Sequence, residues 1–134
     1  MITGKTEVRV RYVEIDQMGI AYHGVYAQYL EVGRVELLRS MGYSYKKVEE
    51  EGILMAIVHL SIDYLRPIVY DELLTIHTVI VPEKDSSKIS FEQQIFNEGG
   101  KLTTKAFVTT VCLCKQSRKK TEIPPFLKEK FNLS

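Results

Sequence analysis

Cysteine, histidine and charge of either sign in excess are all scarce in this 134-residue sequence. It has two cysteines, three histidines, and 18 basic against 17 acidic residues, for a formal net charge of +1. Such a balance argues against nucleic acid as the main partner, because phosphate recognition needs clustered positive charge. No apolar run approaches bilayer-spanning length, so no membrane insertion is expected, and Met1–Glu7 has no signal-peptide hydrophobic core. A cytoplasmic location is the expectation that follows. Cys112 and Cys114 are one residue apart, so on a strand they share a face and close no loop. With histidines only at His23, His59 and His77, they also fall short of a zinc ligand set, and no metal is expected. Both cysteines read as small buried apolar residues in a reducing compartment. The length suits one compact domain, residues 1–134.

What the chain does have is periodicity. Glu7–Val13 alternates Val8, Val10 and Tyr12 with Arg9 and Arg11, the pattern of a strand with one buried face. Gly24–Met41 changes to helical spacing. Tyr26, Leu30, Gly33, Leu37 and Met41 form one stripe with Val25, Tyr29 and Val32 beside it, and Gln28, Glu31, Glu36 and Arg39 lie mostly opposite. Gly42 stands where a left-handed C-cap residue belongs. Gly33 inside the helix costs about 1 kcal/mol against alanine, which a close approach by a strand or partner helix would explain. A short polar helix is expected over Tyr45–Glu51, stopping at Gly52.

Four β-rich runs follow: Ile53–Tyr64, Glu72–Val81, Ile89–Asn97 and Leu102–Lys115. Breaks fall at Arg66-Pro67, at Pro82–Ser87 and at the hairpin signal Asn97-Glu98-Gly99-Gly100. Pro124-Pro125 ends the sheet, with a short tail helix after it. One strand, one long helix and four consecutive strands predict an α+β fold in which an antiparallel sheet curls around the helix. The far side of that sheet would need a cover, and a second subunit supplies it most simply.

The richest segment runs from Tyr12 to Arg34. A strand is expected to end at Asp16, a Gly-containing bend follows, and the amphipathic helix opens beside His23. A carboxylate, an imidazole and the donor end of a helix within a few residues can act on a carbonyl. By itself, an aspartate at a strand-to-helix join is more often a turn or cap residue.

In this segment Asp16, Gly19, Tyr22-His23, Tyr26, and Glu31 with Arg34 follow one another in an order and spacing that resembles a known family. So does the later stretch Asp63-Tyr64-Leu65-Arg66-Pro67 through Asp71-Glu72-Leu73-Leu74. The chain is similar over nearly its full length to hotdog-fold acyl-CoA thioesterases of the 4-hydroxybenzoyl-CoA thioesterase type, close to the tol-pal-associated branch. The resemblance implies a hotdog fold: a five-stranded antiparallel sheet wrapped around one long central helix. It also implies hydrolysis of acyl-CoA thioesters, with coenzyme A as part of the substrate and no resident cofactor. A homo-oligomer is implied, either a dimer or a tetramer built as a dimer of dimers, with the homotetramer favoured.

The same resemblance assigns Asp16 as general base or nucleophile and gives His23 the helix N-terminal amide that collects oxyanion charge. It also makes the His23 side chain a catalytic candidate that positions the thioester or the attacking water, where the ordinary alternative is a helix N-terminal residue that hydrogen-bonds locally. Tyr22 and Tyr26 flank the site, and His59, Arg66, Lys84 and Lys88 become candidate contacts to substrate. Aromatics at such positions are also ordinary core or contact residues, and lysines beside a turn are also ordinary solvated charges. Glu31 and Arg34, three residues apart, read as a helix-surface ion pair or as a structural contact between helices. One departure is Ile15, where the family has Thr or Cys before the aspartate, so Asp16 has one fewer potential partner. A non-catalytic acyl-CoA-binding or protein-interaction module of the same fold is the competing reading. A hotdog dehydratase is disfavoured, because the His-Phe-Pro-Gly motif of that branch is absent.

Overall fold

The computed structural model describes residues 2–131. Five strands form one antiparallel sheet: β1 (Thr3–Arg9), β2 (Ile53–Tyr64), β3 (Leu73–Val81), β4 (Lys88–Phe96) and β5 (Leu102–Cys114), in the order β1-β3-β4-β5-β2. Helix α1 (Tyr26–Ser40) lies against β1, β3 and β4, and the short α2 (Tyr45–Glu50) leans on β2. A tail helix, α3 (Pro125–Lys130), closes the far end of the core. Among the described residues no helix is long and apolar enough to cross a membrane.

Alternation fixes which face of each strand meets α1. Leu74, Ile76 and Ile80 of β3, Ile89, Phe91 and Ile95 of β4, and Val108 and Cys112 of β5 are all buried. They pack against Tyr29, Leu30, Leu37 and Leu38 of the helix in two adjoining clusters. Gly33 is where helix and sheet come closest. A Cβ built there would lie 2.7 Å from Ile76 Cγ2, 2.8 Å from Thr78 Oγ1 and 2.9 Å from Gln93 Nε2. Of the two explanations for this glycine, the strand is the one observed.

Three expectations need correction. The first strand ends at Arg9, and Tyr12–Glu14 forms a 3-10 turn instead of continuing the strand. Val10 still pairs, through Val10 N to the Glu72 carbonyl at 2.9 Å, but the chain then turns away and leaves Tyr12 80% exposed. Arg34 is no surface residue. It is 3% exposed and donates from Nη1 to Gln93 Oε1 at 3.0 Å, and no carboxylate lies in ion-pair range of it among the described residues. Cys112 is buried, and burial pushes its thiol up to about 11. Cys114 is half-buried at the strand end, and hydrogen bonds from Ser117 and the Gln116 amide lower its thiol pKa.

The far face of the sheet carries charge. Asp63, Glu92 and Lys105 stand there beside His77, Gln94 and Phe107 around a shallow recess of about 370 Å³. Exposed apolar side chains include Ile57, Val58 and Leu60 on the edge strand β2, around a bulge at Ile57/His59, besides Tyr12, Val13 and Met18 near the Asp16 loop.

Candidate active site

Residues 14–26 build the site from three nested hydrogen-bonded closures. Tyr22 N donates to the Glu14 carbonyl at 2.9 Å, Asp16 N to the Ile20 carbonyl at 3.0 Å, and Gly19 N to the Asp16 carbonyl at 3.0 Å. Ile15 and Ala21 bridge between the first two closures. The result is a tight loop with Asp16 at its tip and Gly19 at φ +79°, a conformation that favours glycine. Ala21 N adds an anchor to the Ile68 carbonyl at 2.7 Å. Ile15, the departure from the family pattern, packs on the core.

The Asp16 carboxylate is half committed. Oδ1 accepts the Met18 amide at 2.8 Å, an Asx turn of the kind short acidic side chains make. Oδ2 has no partner among the described residues. Asp16 lines a recess of about 530 Å³ with Tyr22, Gly24, Val25 and Gln28. The chain then enters a 3-10 turn, His23–Val25, that runs directly into α1. Neither the His23 nor the Gly24 amide has an acceptor among the described residues, so both are open donors at the positive end of the helix. The Tyr22 ring lies over Gly24, where an added Cβ would meet it at 2.7 Å, and sits 4.2 Å from the His23 ring.

His23 faces a second recess of about 430 Å³, shared with Tyr26, Tyr64, Leu65 and Arg66. The Tyr64 hydroxyl donates to the His23 carbonyl at 3.0 Å and ties the end of β2 to the start of the helix. Tyr64 also meets Tyr26 edge-on at 4.7 Å. Tyr26 itself is mostly core, and burial raises the pKa of its phenol.

His59, Lys84 and Lys88 come together elsewhere. They line a recess of about 720 Å³ with Val58, Glu83 and Asp85. Lys88 Nζ is 4.0 Å from Asp85 Oδ2, which Lys120 also engages at 2.8 Å, so the basic character of this recess is partly neutralised. Asp16 and Tyr22 thus share one recess, His23, Tyr26 and Arg66 a second, and His59, Lys84 and Lys88 a third.

Sequence reasoning passed over Glu14 and Tyr29. Glu14 is 7% exposed, yet its carboxylate accepts from Arg11 N at 2.8 Å, Arg11 Nε at 3.0 Å and the Tyr29 hydroxyl at 2.9 Å. Burial alone would raise its pKa, but these donors outweigh burial and hold it below the usual carboxylate value. Tyr29 is shifted up by burial and by this carboxylate. The Arg11-x-x-Glu14 spacing was the only visible signal, and nothing in it pointed to Tyr29.

A family model described as the thioesterase-like superfamily matches residues 10–131. The Bacillus subtilis protein named "Putative acyl-CoA thioesterase YneP" is 38% identical over 119 residues, covering 89% of this chain and 86% of its own. The acyl-CoA thioesterase YbgC of Haemophilus influenzae is 31% identical over 126 residues, 93% of this chain and 91% of its own. Among solved structures, the DHNA-CoA thioesterase of Staphylococcus aureus superposes with a TM-score of 0.92 at 30% identity, over 98% of this chain and 90% of that one.

Proposed function

The chain is a thioester hydrolase of the thioesterase-like superfamily, and from that premise we propose that it cleaves acyl-CoA thioesters to the free acid and coenzyme A. The observation that carries the mechanism is that Asp16, whose Oδ2 has no partner among the described residues, shares a recess with Gly24 at the turn into α1, where the His23 and Gly24 amides have no acceptor. Asp16 acts on the carbonyl side, either taking the proton of the attacking water or attacking the thioester carbon itself. The His23 amide, with Gly24 beside it, receives the negative charge that collects on the carbonyl oxygen, and the helix dipole adds to this. The thiolate of coenzyme A leaves readily, so no strong acid is required opposite Asp16. The reaction needs no resident cofactor or metal in this reading.

Tyr22 and Tyr26 border the acyl end. Arg66 and the recess of His59, Lys84 and Lys88 are the assigned contacts for the nucleotide end, supported by their charge and exposure. Steady-state release of free thiol across aromatic, short and long acyl-CoA esters tests the assignment. Preferential turnover of some members is the expected result. Saturable binding with no turnover of any ester would favour the binding-module reading.

We assign the subunit contact to the free edge of β2, where apolar side chains and unpaired backbone groups coincide. Pairing there builds a dimer, and two dimers joined give the tetramer. Val58→Lys should convert the oligomer to monomer at micromolar concentration, read by sedimentation velocity. A wild-type protein that sediments as a monomer would remove this assignment.

A further inference from the structure

We propose that Glu14 is a positioning residue, whose buried carboxylate bolts the Asp16 loop to the first turn of α1 through Tyr29 and so sets Asp16 against the open helix amides. The inference rests on the thioesterase reading and adds a residue pair that the reaction scheme does not itself require.

The loop's tip is held by its own backbone closures, and Ala21 and Ile15 fasten its base to the core. Two side-chain hydrogen bonds tie this segment to the head of the helix. Tyr64 reaches the His23 carbonyl from β2, at an exposed position where water competes for the bond. Glu14 reaches Tyr29 from inside, in a buried setting where the bond is stronger and its loss leaves a polar group unsatisfied. Glu14 stands at the base of the loop, since its own carbonyl accepts the Tyr22 amide one residue before His23.

One residue therefore holds both strands of the loop base and the helix that follows. Arg11 supplies two further donors, so the carboxylate remains charged and fully engaged. A displacement of Asp16 by about 1 Å against the oxyanion donors is enough to cost roughly 100-fold in rate, so a bolt at this point governs turnover without touching substrate.

The test uses the full chain with Tyr29→Phe, which removes one oxygen and keeps the ring, and with Glu14→Gln and the double variant. Amide hydrogen exchange is read on the loop amides of Asp16, Met18, Gly19, Ala21 and Tyr22, each of which donates to an acceptor within the protein. Each single variant should speed exchange there by about tenfold or more, while the C-terminal half of α1 keeps its protection. The double variant should be no faster than the worse single, because both act through one bond. In parallel kcat should fall about tenfold with KM within twofold. A purely structural role would raise exchange across the whole protein alike and leave kcat unchanged on the folded fraction, and that result overturns the proposal. Loosened loop amides with unchanged kcat also overturn it. A wild-type protein that turns over no acyl-CoA ester would instead sink the reading of function, and the exchange data would still decide whether Glu14 and Tyr29 hold the loop.

Discussion

Replacing Asp16 by Asn should lower kcat for acyl-CoA hydrolysis by about 10²–10⁴-fold, the range in which a positioned proton acceptor operates. The substitution is informative because of the Asx turn. Asparagine keeps a side-chain oxygen for the Met18 amide, so the loop that Asp16 closes with Gly19 and Ile20 persists. What changes is the second oxygen, Oδ2, which becomes an amide nitrogen that neither accepts a proton nor attacks a carbonyl. Binding of coenzyme A esters should therefore survive, and melting temperature should stay near that of the parent protein. Free-thiol release measured beside ester binding by calorimetry reads the two consequences separately. Undiminished turnover in this variant would show that the site had been assigned to the wrong carboxylate.

Gly33→Ala is expected to destabilise the fold by about 2–4 kcal/mol, although the same change in an exposed helix interior stabilises by about 1 kcal/mol. The sign reverses because the new methyl has nowhere to go. It would meet Ile76 Cγ2 at 2.7 Å and, at 2.8 and 2.9 Å, the two polar atoms Thr78 Oγ1 and Gln93 Nε2. Gln93 cannot simply withdraw. Its amide nitrogen donates to the Leu30 carbonyl and to Thr78 Oγ1, each at 2.9 Å, and its oxygen accepts from Arg34 at 3.0 Å. Moving it strands several buried polar groups, among them a cation whose Nε already has no partner among the described residues. For a chain of this size the melting temperature should drop by about 8–16 °C, at about 4 °C per kcal/mol. A change within a degree or two would mean that helix and sheet have slack at this crossing.

The long strands were legible because alternation and turn chemistry agreed. Ile53–Tyr64 is the observed β2 to the residue, and Asn97 through Gly100 makes the expected hairpin, with Gly100 at φ +81°. The first strand was misplaced for a physical reason. Its inward positions include Gly4 and Thr6, small residues that make room for the helix, with Leu37 Cδ1 only 2.7 Å from where a Cβ on Gly4 would stand. Small inward residues leave no apolar signal, while Val10 and Tyr12 continue an alternation that the backbone has already abandoned. In the site, the Gly-containing bend after Asp16 and the helical turn opening at His23 were readable, but the strand expected to end at Asp16 stops at Arg9. Glu14 with Tyr29 and Arg34 with Gln93 lie 15 and 59 residues apart, and no local pattern announces contacts that only the packed helix makes. Buried charge also defeats pattern reading, because Arg34 occupies a core position with a residue type that marks surfaces.

The strand order has a consequence for how the protein is made. β2 leaves the ribosome before β3 and β4, yet its one partner within the chain is β5, the last strand. At roughly 5–20 residues per second, the apolar run Ile53–Val58 waits several seconds with both edges unpaired. Nascent chains on neighbouring ribosomes carry the same segment in the same condition, so the first strand pairing available to β2 is with another copy of itself. Premature pairing between copies is therefore the hazard at this segment, and whatever shields it in the cell must act before β5 has been synthesised.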